Sequence, residues 1–179
     1  DVTLNNDHVI LSAAESTFRT DEYDLTVTGK VTDGWGGNEL DVGNLYKAGA
    51  ASLILTGTAS NWWQDTFVNE GRLVMEGKHN AWLKPETTNC EYKGSVYGGR
   101  WYVAADAVLA GNGEIEGKWV YVQEGGIVQP GHDSIGTLHI TPYTYTEWLR
   151  DEFGAYLYNE DFTPMVAILT EGKLALSDT

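Results

Sequence analysis

Hydrophobic and polar residues alternate along this chain in short bursts. In TFRTDEYDLTVTGKV, Leu25, Val27 and Val31 are spaced by polar residues and Gly29, the period of two expected of a strand with one buried face. Leu53-Ile54-Leu55 is an apolar run closed by Thr56-Gly57, and Leu73-Val74-Met75, 20 residues on (73 − 53), is closed by Glu76-Gly77. LTVTG at Leu25 to Gly29 reads as the earliest copy of this unit and LHIT at Leu138 to Thr141 as the latest. Ahead of them lie two β-type runs, Val2 to Leu4 and His8 to Leu11, split by the turn-prone Asn5-Asn6-Asp7.

A second series interleaves with the first. YVAADAVLAGN from Tyr102 aligns without a gap on YVQEGGIVQPG from Tyr121, 19 residues apart (121 − 102), and FVNEGRLVMEG from Phe67 aligns if one residue is skipped. Each copy is an aromatic, a valine, a small or polar turn and an apolar strand. Repetition at this period predicts stacked rungs of short strands, each pairing with its counterparts above and below and burying a column of Leu, Val and Ile. The expected fold is all-β, a right-handed parallel β-helix (β-solenoid) of about 19–20 residues per rung, forming one domain over residues 1–179. An antiparallel sandwich is the weaker alternative, because Asp33-Gly34 and Asn112-Gly113 are the only Asp-Gly or Asn-Gly hairpin signals.

Two segments interrupt the period. Residues 78–100 are polar, carry Pro85 and Gly98-Gly99, and read as an inserted loop. From residue 142 to 179 an aromatic-rich segment returns to the coil; its first part is compatible with two helical turns from Thr146 but favours strands through Tyr143, Tyr145, Tyr156 and Tyr158.

Composition narrows the function. With 26 acidic and 11 basic residues the formal charge is −15, which repels phosphate backbones, so nucleic acid is not an expected partner. Cys90 is the single cysteine, so no internal disulfide forms; His8, His79, His132 and His139 lack metal-ligand spacing. No catalytic residue, cofactor or metal ligand is expected: Gly111 to Gly117 does not fit a nucleotide loop, and no glycine-x-serine-x-glycine elbow occurs. The start DVTLNND suggests a processed product or an excised piece.

The residues also carry a family likeness. GGIVQPGHDSIGTLHI, with YKAGAASLILTG, DTFVNEGRLVMEG and ADAVLAGNGEIEG, resembles autotransporter passenger domains with autotransporter-associated β-strand repeats, over roughly Thr17 to Thr141. The resemblance implies a right-handed parallel β-helix on a bacterial cell surface.

The functional expectation is a non-enzymatic extracellular module of a surface filament or adhesin, associating end to end with copies of itself. Val2, Leu4, Leu174 and Leu176 are the expected assembly strands. The alternative is a carbohydrate-active β-helix, a polysaccharide lyase or a module binding cell-surface glycans. Trp62, Trp63, Trp82, Trp148, Tyr156 and Tyr158 are the candidate interaction surface. Aromatic stacking along the coil competes for these rings; Trp101 and Trp119, each ahead of a strand, are the expected example. Pro130, Gly131 and Gly136 are expected to serve turn geometry.

Overall fold

The structure is a computed structural model that describes residues 1–11, 15–33, 43–60, 62, 64–79, 99–117, 119–148, 166–171 and 173–176, with side chains up to residue 141. Every regular element among these residues is a strand, and the strands follow one another in sets of three, save one set of two strands with a single-residue bridge at Ser60 between them. The first set is β1 (Val2–Leu4), β2 (His8–Leu11) and β3 (Glu15–Arg19); the second is β4 (Leu25–Val27), β5 (Lys30–Asp33) and β6 (Asn44–Ala48). Next come β7 (Ser52–Leu55) and β8 (Thr66–Val68), then β9 (Arg72–Met75), β10 (Lys78–His79) and β11 (Arg100–Val103). The series continues with β12 (Val108–Gly111), β13 (Glu114–Gly117) and β14 (Trp119–Val122). It ends with β15 (Ile127–Pro130), β16 (His139–Trp148), β17 (Val166–Glu171) and β18 (Lys173–Leu176).

Each strand pairs with its counterpart in the next set. One six-stranded sheet runs β1-β4-β7-β9-β12-β15, a second β18-β14-β11-β8-β6-β3, and a third face holds β2-β5 and β10-β13-β16-β17. All pairs are parallel except β16 with β17. Parallel neighbours need a crossover, and here the other two faces of the set supply it.

Register explains the apolar pattern. Val2, Leu25, Leu53, Leu73, Leu109 and Val128 form one inward column of the first sheet; Leu4, Val27, Leu55 and Met75 form the next. Leu45, Trp101 and Val120, with Val68, Val103 and Val122, meet them from the second sheet, so the core lies between the faces.

The closing glycines of the repeat sit at one corner. Gly57 and Gly77 stack so closely that a Cβ on Gly77 would come within 2.7 Å of the carbonyl carbons of Gly57 and Thr56, while the Gly57 carbonyl accepts Lys78 N–H at 3.0 Å. Backbones can approach this far only where no side chain intervenes. The sequence unit that ends in glycine is therefore a corner of the stack.

The LHIT copy belongs elsewhere. His139 and Ile140 pair with Glu114 and Ile115 on the third face, whereas the first sheet continues through Val108–Gly111 and Ile127–Pro130. A three-residue apolar run looks alike on any face, and only pairing distinguishes them. The 19–20-residue spacing holds between Leu53 and Leu73 and between Tyr102 and Tyr121, but Leu25 pairs with Leu53 and Leu73 with Leu109 over longer intervals. Of the segment read as inserted, Lys78–His79 is β10 and Arg100 opens β11; residues 80–98 lie outside the described ones. Of the aromatic-rich segment, β16 and β17 form the antiparallel pair and β18 rejoins the second sheet beside β14.

Candidate functional site

Alternation along the second sheet sends Tyr46, Phe67, Tyr102 and Tyr121 outward at one register position. Their rings stack in an unbroken ladder, with centroids 4.7, 4.8 and 5.1 Å apart and planes within 7° of parallel. That separation is the strand spacing, so each inner ring presents its faces to its neighbours and an edge to solvent. Beside the ladder, Arg100 lies 6.0 Å from the Trp119 ring centroid and 3.9 Å from an Asp65 oxygen. Side chains also stitch the turns: Asn44 Oδ1 accepts Asp65 N–H at 2.9 Å, and Asp65 Oδ1 accepts Arg100 N–H at 3.0 Å. Burial raises the Asp65 pKa, and the Arg100 N–H bond and guanidinium charge oppose the rise.

Trp62 is not on the surface. Only 1% exposed, it donates from Nε1 to Thr66 Oγ1 at 2.8 Å and packs against His79 (4.0 Å between centroids) and Trp101 (5.8 Å). Trp62, a candidate for the interaction surface, is instead a core element that fills the third face where Ser60 bridges to His79. Trp63, Trp82, Tyr156 and Tyr158 lie outside the described residues; Trp148 ends β16 opposite Val166. The expected Trp101–Trp119 stack is also replaced. Trp101 pairs with Val120 and faces inward, while Trp119 pairs with Arg100 and faces outward, one residue out of step.

Two of the buried polar side chains, the titratable His79 and Lys47, are not anticipated by the sequence reading. His79 lies among Trp62, Trp101 and Ile115, with neither ring nitrogen in hydrogen-bond geometry. Burial lowers its pKa to about 3, although the backbones of Glu116 and Trp62 favour the charged form. Lys47 occupies an inward position in β6, its ammonium donating to the carbonyls of Ala48 (3.0 Å), Gly49 (2.6 Å) and Glu70 (3.0 Å). Desolvation lowers its pKa to about 8 against the pull of the Glu70 carboxylate. The Leu45-x-Lys47 alternation was a signal for Lys47; nothing in the sequence marked His79. Both are enclosed, so neither has access to a substrate. Among the described residues no group of three His, Cys, Asp or Glu side chains could hold a metal ion.

The ends of the stack are the remaining candidates. Val2 and Leu4 point inward like the buried Leu53 and Leu55 of their columns, yet are 52% and 37% exposed because no strand among the described residues pairs with the outer edge of β1. At the other end Leu174 and Leu176 pair with Val120 and Val122, which places them in β18, the terminal strand of the second sheet among the described residues. Pro130 closes β15, the last strand of the first sheet. Gly131 follows with φ +86° and exchanges backbone hydrogen bonds with Gly111 at 2.7 and 3.0 Å; Gly136 packs against Asn112 and Gly131. No protein-family model matches this chain, and neither a curated protein nor a solved structure matches it.

Proposed function

We propose that the chain is a right-handed parallel β-solenoid module of an autotransporter-like bacterial surface protein. In this reading it is extracellular, non-enzymatic and structural, and it associates through an end of its coil with copies of itself. The observation that carries the reading is the first rung, where inward-pointing Val2 and Leu4 are 52% and 37% exposed beside strand edges that no strand among the described residues pairs with. Such an edge is a template for a further strand. The extracellular setting rests on the family likeness of the repeats, and the acidic surface is compatible with it. The glycan-binding alternative draws less support, since Trp62 is enclosed and the inner rings of the outward ladder are stacked face to face. Sedimentation velocity over a wide concentration range tests the proposal. A concentration-dependent increase in mass is expected, and a monomer at every concentration would overturn it.

A further inference from the structure

The two ends differ as edges. At the two ends of β15 the N–H groups of Ile127 and of Gly131, the residue after the strand, donate toward β12, to the carbonyls of Ala107 (2.9 Å) and Gly111 (2.7 Å). Alternation therefore turns the backbone groups of Val128 and Pro130 away from β12, toward the edge that no strand among the described residues pairs with. Proline has no N–H, so this edge offers one donor where another residue at position 130 would give two. A strand arriving parallel in register, as the β1 of another copy would, leaves a carbonyl unpaired opposite Pro130.

The first rung carries no such block. Val2 N–H donates to Asp24 O at 2.8 Å and Leu4 O accepts Thr28 N–H at 3.0 Å, which turns both peptide groups of Thr3 outward. β3 reads Glu15-Ser16-Thr17-Phe18-Arg19 and is self-complementary about Thr17. Laid antiparallel on a second copy of itself, it sets Glu15 opposite the copy's Arg19 and Arg19 opposite the copy's Glu15. Arg19 now donates from Nε to Asp21 Oδ2 at 2.9 Å, with both side chains more than half exposed, and a pair so exposed exchanges partners readily.

We infer that two copies join first rung to first rung about a two-fold axis, β3 antiparallel to β3, and that the assembly closes as a dimer instead of growing into a filament. This inference rests on the self-association proposed above. Sedimentation equilibrium of the full chain tests it with Glu15→Arg, Arg19→Glu, the double reversal and Pro130→Thr. A dimer is expected for the parent. Each single reversal should weaken it by about tenfold, since it places like charges opposite each other twice, and the double reversal should restore it. Pro130→Thr should lengthen dimers into larger species by opening the far edge. A parent that polymerises, a double reversal that fails to restore the dimer, or a Pro130→Thr variant that stays dimeric would overturn the head-to-head closure and leave self-association standing; a strictly monomeric parent would overturn both.

Discussion

Gly136 shows how little room a single position has. A Cβ there would lie 2.7 Å from the Gly131 Cα and would displace the Asn112 side chain, whose Nδ2 bonds the Glu76 carboxylate at 3.1 and 3.2 Å. Gly136→Val should therefore cost about 1–3 kcal/mol of stability, read from urea unfolding; an unchanged midpoint would contradict the packing described. His79 makes a different demand. Buried as the neutral ring, it binds no proton between pH 6.5 and about 3, whereas the unfolded chain does. The unfolded state holds more protons in that window, so stability rises with pH through it and falls on acidification. His79→Phe should flatten this part of the acid limb of the stability curve, and an acid limb identical to the parent's would show that His79 does not carry it.

At the scale of elements, the outward ladder is a stabilising device of the second sheet. Phe67 stacks on Tyr46 and on Tyr102, and two aromatic contacts at these separations contribute about 1–3 kcal/mol beyond the area they bury. Phe67→Ala should lower the thermal midpoint, while Phe67→Tyr, which keeps both stacks, should leave it nearly unchanged; equal losses would argue against stacking as the cause. The aligned copies anticipated three of these rings, since Phe67, Tyr102 and Tyr121 open the same unit, and the register reproduces the skipped residue in the Phe67 copy. The turn between the sheets is one residue shorter there, between Phe67 and Arg72, than between Tyr102 and Val108. Trp62 and His79 escaped this reasoning because the third face is assembled from β10, β13 and an isolated bridge at Ser60, pieces too short to show a period.

Across the whole molecule, each set of strands touches only those above and below, so stability is shared between neighbours and the ends are its weakest points. Hydrogen exchange should be fastest in β1, whose outer edge is unpaired among the described residues, and slowest in β7 and β9, flanked on both sides and lined by Leu53, Leu55, Leu73 and Met75. Uniform exchange along the first sheet would mean that the stack opens as one unit. The same gradient bears on association, because the first rung, to which β1 and β3 both belong, is the one that a second copy would cover.

The sequence by itself determined that the chain is built of short, stacked strands, since a glycine-closed apolar triplet that recurs is intelligible only where backbones meet at a corner. It also determined which residues of the aligned copies share a column, through the offset of 19 between Tyr102 and Tyr121. The tertiary structure alone decided which face each triplet joins and which of two adjacent tryptophans lies inside. It also decided which edge carries a proline pointing outward. Strand propensity and alternation repeat every two residues on every face, so they specify an element and its parity; hydrogen bonding to a particular neighbour is what assigns that element to a sheet and turns its groups inward or out.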